Sequence, residues 1–187
     1  MAACAAMRVD VLREATRSRA VTSAEVKRGA EAMLRALKLP RAELSVLLCD
    51  DATIHRLNRE HRKKDKPTDV LAFALREGEF GHLAGDALGD VVISLDTAAR
   101  QAGERGIATR DEVRMLLAHG LLHLLGWDHQ TDAEDRAMRA ETDRMIAVIA
   151  RAEARHARAA AAATTAKTKT TARRSTKTGP TRGARSR

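Results

Sequence analysis

Tyrosine is absent from this 187-residue chain, and the aromatic side chains number three: Phe73, Phe80 and Trp127. So few rings exclude base recognition by rows of stacked aromatics. Cysteine is almost as scarce. Cys4 and Cys49 form no CxxC pair and give no disulfide framework, which fits a reducing compartment. Cys49 closes the apolar run "LSVLLC" and reads as a buried thiol. No run approaches the ~18 apolar residues of a membrane span. The opening "MAACAAMRVD" lacks the charged-then-apolar plan of a signal peptide, and Met7 is a second candidate start. The expected location is cytoplasmic, with no membrane partner.

The net charge of +9 suggests a nucleic-acid partner until it is located. Beyond residue 150 lie eleven of the 34 Lys/Arg and one of the 25 Asp/Glu, Glu153, so that segment carries +10 and residues 1–150 carry −1. The basicity belongs to a tail. Such a tail attracts RNA or another polyanion without reading its sequence.

The order of patterns is mixed. Strand-like runs fall at 8–14, 42–50, 69–75 and 88–96. Helical spacing marks 24–39, with Ser23 as N-cap and Pro40 as stop, and also 51–62, 96–104, 111–125 and 131 past 149. This is an α/β (α+β) pattern: a single domain over residues 1–150, with a small four-stranded mixed sheet packed with helices. Residues 151–163, rich in alanine, extend the last helix. Residues 164–187 offer nothing to bury and are expected to be a disordered basic tail.

One stretch carries unusual chemistry. "HGLLHLLGWDH" holds His119, His123 and His129, three of seven histidines. On a helix, His119 and His123 stand on one face about 6 Å apart along the axis, close enough to share a cation. Gly126 can end the helix in a left-handed turn and bring His129 back towards the same point. Three imidazoles with a fourth position left to solvent are the plan of a catalytic zinc site. One Zn2+ is expected, although the same donors would take nickel or copper in vitro. His55, His61, His82 and His156 are assigned solvated or structural roles.

The same register occurs in the metzincin proteases, H-E-x-x-H-x-x-G-x-x-H, but Gly120 stands where the protease has its general-base glutamate. Amide hydrolysis loses its proton carrier. A phosphodiester instead needs cations for its oxygens, best an arginine. Arg59, Arg62, Lys63, Lys64 and Lys66, in "LNREHRKKDKPTD", are the candidates; alone, that segment reads as a solvated basic loop.

"LNREHRKKDKPTDVLAF", "LGDVVIS" and "HGLLHLLGWDH", in this order, resemble the YbeY family over residues 8–150. These are bacterial single-strand-specific, metal-dependent endoribonucleases of ribosomal RNA maturation. The resemblance implies that His119, His123 and His129 are zinc ligands and that Arg62 is the arginine needed for RNA cleavage. It also implies a small sheet with helices on both sides and a metal site opening into a basic cleft. The implied role is maturation of the 16S rRNA 3′ end and ribosome quality control, with rRNA and the ribosome or small-subunit proteins as partners. Lys64, Lys66 and the tail would hold the RNA backbone. Asp128 either orients a ligand or caps the helix near Thr131, and Thr68 and Asp69 close the loop before a strand. The tail is absent from the usual family pattern. Two alternatives remain: a metallohydrolase of peptides or small molecules, and a non-catalytic ribosome assembly factor with a structural zinc.

Overall fold

The short apolar runs pair into one sheet in the computed structural model, which describes residues 6–77, 81–128 and 130–175. Its strands are β1 (Arg8–Arg13), β2 (Glu43–Cys49), β3 (Val70–Ala74) and β4 (Ala87–Ser94), in the spatial order β1-β2-β4-β3. β1, β2 and β4 run parallel, and β3 lies antiparallel to β4 at one edge. The helices are α1 (Ser23–Ala36), α2 (Asp51–Arg62), α3 (Leu95–Arg105), α4 (Thr109–Leu124) and α5 (Asp132–Ser175). The expected mixed α/β class is the one observed.

Period-two alternation sends neighbouring strand residues to opposite faces. Val9, Leu44, Val46, Leu48, Val91 and Ile93 enter the larger core with Met33 and Leu34 of α1 and Leu117 and Leu121 of α4. Leu71, Val92 and Cys49 face the other way and meet Ile54 of α2. Helices therefore cover both faces. Each large side chain so buried is worth about 1.5–3 kcal/mol, which fixes α2 and α4, the two helices that carry the candidate residues.

Several boundaries differ from the sequence reading. Thr22, and not Ser23, caps α1: its hydroxyl accepts from the Glu25 N–H at 3.2 Å while the Glu25 carboxylate accepts from the Thr22 N–H at 2.7 Å. The glutamate three residues on selects the threonine, as a reciprocal cap requires. α1 ends at Ala36, before Pro40, because Lys38 adopts a left-handed φ of 59°. α5 does not stop at Thr164 but continues to Ser175; Ala, Lys and Arg are strong helix formers, and they outweigh the interleaved threonines. Residues 176–187, the rest of the expected disordered tail, lie outside the described residues. The chain divides into two compact units, Met1–Ala152 and Glu153–Arg187.

The start of α2 is anchored to the sheet and to α3. Asp50 caps it, accepting from the Thr53 N–H at 2.8 Å. The Asp51 carboxylate accepts from the hydroxyls of Ser94 and Thr97 and from Arg100. Burial alone would raise the Asp51 pKa, but these hydrogen bonds and the Arg100 charge outweigh it and hold it below the ordinary carboxylate value. The stabilisation is therefore present above that ordinary value and is lost as pH falls through the lowered one.

Candidate metal centre and cleft

α4 is apolar around most of its circumference, with Leu116, Leu117, Leu121, Leu122 and Leu124 buried. His119 and His123 occupy the remaining stripe, half-buried. Their Nε2 atoms stand 3.1 Å apart, with ring centroids separated by 4.6 Å and planes at 87°. A tetrahedral zinc with Zn–N bonds of ~2.0–2.1 Å holds two nitrogens about 3.3 Å apart, so the pair fits a shared cation of that size. Among the described residues no group of three His, Cys, Asp or Glu side chains gathers as a metal site. His129, the expected third ligand, lies outside the described residues.

The helix ends as its glycine requires. Gly126 has φ +81°, the Trp127 N–H reaches back to the Leu122 carbonyl at 3.1 Å, and the Gly126 N–H donates to the His123 carbonyl at 3.0 Å. This closing turn satisfies two orphan carbonyls and ends α4 just beyond His123. α5 is then capped by Thr131 and Glu134, which exchange backbone and side-chain hydrogen bonds at 2.9 and 3.3 Å. Asp128 is not that cap; it accepts from the Gln130 amide and lines the same cleft as the two imidazoles.

That cleft has a volume of about 600 Å³. It brings His119 and His123 together with Arg62, Lys64 and Lys66, residues more than fifty positions away in sequence. Arg59 and Lys63, read as part of the same cluster, are not among the described residues that line it; Lys63 Nζ donates to the Glu60 carbonyl at 3.0 Å. Arg62 is held in place: Nη2 donates to the Ala72 carbonyl on the β3 edge at 2.7 Å, and the guanidinium carbon sits 5.9 Å from the Phe73 ring centroid.

The basic loop after α2 is pinned at several points, where the sequence reading of it alone was a solvated loop. Lys63 takes a left-handed φ of 59° and ends the helix. Buried Asn58 accepts through its main-chain carbonyl from the Lys64 N–H at 3.3 Å and donates its amide to the Lys66 carbonyl at 2.8 Å. His55 Nε2 lies 2.8 Å from the Asp65 carboxylate. Asn58 is the positioning residue the sequence reading passed over. Its signal was present: it lies four residues after buried Ile54, in the inward phase of an amphipathic helix, where a polar side chain demands partners.

The cleft is less uniformly basic than the family resemblance implied. Asp69, Glu77 and Asp128 line it beside the three cations. Asp69 is there because β3 starts on it: its carboxylate accepts from the Val70 N–H at 2.8 Å, the Thr68 hydroxyl at 3.1 Å and the Gln101 amide at 3.0 Å.

Gly120 meets the sheet. A Cβ at this position would lie 2.7 Å from Val91 Cγ1 and 3.2 Å from Val70 Cγ2. Val91 is fully buried on the central strand β4 and cannot retreat. Gly120→Ala is expected to cost about 1–3 kcal/mol in overpacking, less about 1 kcal/mol regained from helix propensity. Gly120→Glu, which also buries a carboxylate, should cost more. Urea midpoints measure both, and an unchanged midpoint for the glutamate variant would show that α4 can lift off the sheet.

Fold and cleft together define a class: a small α/β domain whose buried helix presents an imidazole pair to a cleft lined by one arginine, two lysines and three carboxylates. The chain belongs to the endoribonuclease YbeY family, whose model matches residues 12–150. Two relatives, both named Endoribonuclease YbeY, are similar over most of their lengths. The one from Geobacter metallireducens is 46% identical over 128 residues, 67% of this chain and 85% of the relative. That from Geobacter sulfurreducens is 49% identical over 116 residues, 62% of this chain and 77% of the relative. The solution structure of TM1509 from Thermotoga maritima matches with a TM-score of 0.55 at 24% identity, covering 75% of this chain and 88% of that one. That likeness is one of fold.

Proposed function

We propose that this protein is a zinc-dependent endoribonuclease that cuts single-stranded RNA and acts in maturation of the 16S rRNA 3′ end and in ribosome quality control. The observation that carries the reading is the shared cleft, in which Arg62, Lys64 and Lys66 face the His119–His123 pair. Its partners in this reading are rRNA and the ribosome or its small-subunit proteins, and its setting is the cytoplasm. No helix among the described residues is long and apolar enough to cross a membrane.

His119 and His123, with His129, would hold the ion. Bound there, it supplies water activation and polarisation of a phosphoryl oxygen. The rest of the work falls to the chain. Arg62 uses one N–H on the Ala72 carbonyl, which aims the guanidinium, and its remaining donors meet the phosphate oxygens as charge builds on them. Lys64 and Lys66 hold flanking phosphates as point charges. The eight cations of residues 164–187 add long-range, salt-sensitive attraction for RNA.

Peptide hydrolysis is disfavoured by Gly120, where neither the sequence nor the packing provides the needed carboxylate. A purely structural zinc would ordinarily take four protein ligands, and this segment offers three. Chelation tests the proposal: stripped protein should lose cleavage of a single-stranded oligoribonucleotide and regain it on adding zinc, with the matching duplex uncut throughout. Full activity after verified metal removal, or equal cutting of the duplex, would sink it.

A further inference from the structure

The chain contains one tryptophan and no tyrosine, and it places that tryptophan at the cleft. Trp127 is 37% exposed, and no described residue makes a hydrogen bond or ring contact with its indole. Its backbone is fixed, since its N–H closes the turn at the end of α4 on the Leu122 carbonyl at 3.1 Å. The ring thus stands on a rigid support in the same cleft as His119, His123 and Arg62. A partly exposed indole that lines the same cleft as the arginine proposed to grip phosphate has an obvious ligand. It is the flat face of a base.

The geometry points to Trp127 as a stacking platform for one unpaired base next to the phosphate that Arg62 contacts, and as a source of single-strand selectivity. The inference rests on the ribonuclease reading and deepens it. In a duplex every base is already stacked on its neighbours and paired, so none can turn its face to the indole. In a single strand a splayed base can. Every base has a π-face, so one ring selects strandedness without selecting sequence. Rows of stacking aromatics are excluded by composition, but a single platform is not.

Stacking of this kind holds bound substrate and transition state alike, so its loss raises KM and leaves kcat nearly unchanged. Trp127→Leu keeps apolar bulk and removes the ring face; Trp127→Phe keeps a face. On a single-stranded oligoribonucleotide, the leucine variant should show KM raised about 5- to 150-fold, the range for one stacked base, with metal content equal to wild type. The phenylalanine variant should recover most of that loss. Because the indole is unique, its fluorescence reports on this position alone. Titration with a 2′-O-methyl oligonucleotide, verified to stay intact under the conditions used, should quench it, and an abasic oligomer of equal charge should not. A leucine variant with wild-type KM, a KM rise that comes only with metal loss, or equal quenching by the abasic oligomer would overturn the assignment. Wild-type protein that leaves single-stranded RNA uncut would remove the ribonuclease reading and this inference with it, whereas normal cleavage by wild type and leucine variant alike removes stacking alone.

Discussion

His119→Ala should purify with little bound zinc and cut single-stranded RNA at least about 10³-fold more slowly than wild type, since it removes both a ligand and the several kcal/mol of charge stabilisation that a bound ion supplies. Its half-buried position on α4 tolerates the change. Alanine is the better helix former, and the leucines around it continue to hold the helix against the sheet. In the absence of metal the melting temperatures of variant and wild type should therefore lie close together. Added zinc should raise the wild-type melting temperature and leave the variant's where it is, because only a state that binds the ion is stabilised by it. Metal analysis combined with melting curves checks this. Wild-type zinc content in the alanine variant would show that the imidazole pair is not the metal site.

Arg62→Ala should give the opposite pairing of results: zinc content and melting temperature preserved, and cleavage slowed by roughly 10²–10³-fold, the usual cost of removing one donor aimed at developing charge. The side chain is exposed, and the Ala72 carbonyl it leaves can turn to water. Little stability is at stake. Arg62→Lys retains the charge but not the planar fork, and it should restore only part of the rate. Single-turnover cleavage under saturating RNA separates a catalytic loss from a binding loss. If Arg62→Ala cut at the wild-type rate, the cation opposite the imidazoles would have to be Lys64 or Lys66.

The contrast between these residues also explains what could be read before the fold was known. Spacings within one element were legible. His119 and His123 at i and i+4 need only helical geometry, and Gly126 after the last turn needs only the steric freedom of a residue without Cβ; both are where local rules place them. Strand runs such as 88–96 were legible because alternation and burial both act along a few residues. The division of the basic cluster was not. Lys64 enters the cleft and Lys63 does not because the chain turns left-handed at Lys63 and because Asn58 ties down Lys66, two facts that involve hydrogen bonds across the loop. Nor was the acidic share of the cleft. Asp69 lies there because β3 begins on its side chain and α3 offers it Gln101 from thirty-two residues away. Long-range partners of this kind leave no periodicity to find.

The close seating of Gly120 on Val91 bears on ancestry as much as on packing. Enzymes that share a three-histidine register could be imagined to exchange chemistries by a single codon, glycine for glutamate. Here that exchange carries a steric cost: the added side chain would begin 2.7 Å from a valine methyl on an interior strand of the sheet. A descendant of this protein that learned to cut peptides would have to make room between helix and sheet as well as acquire its acid.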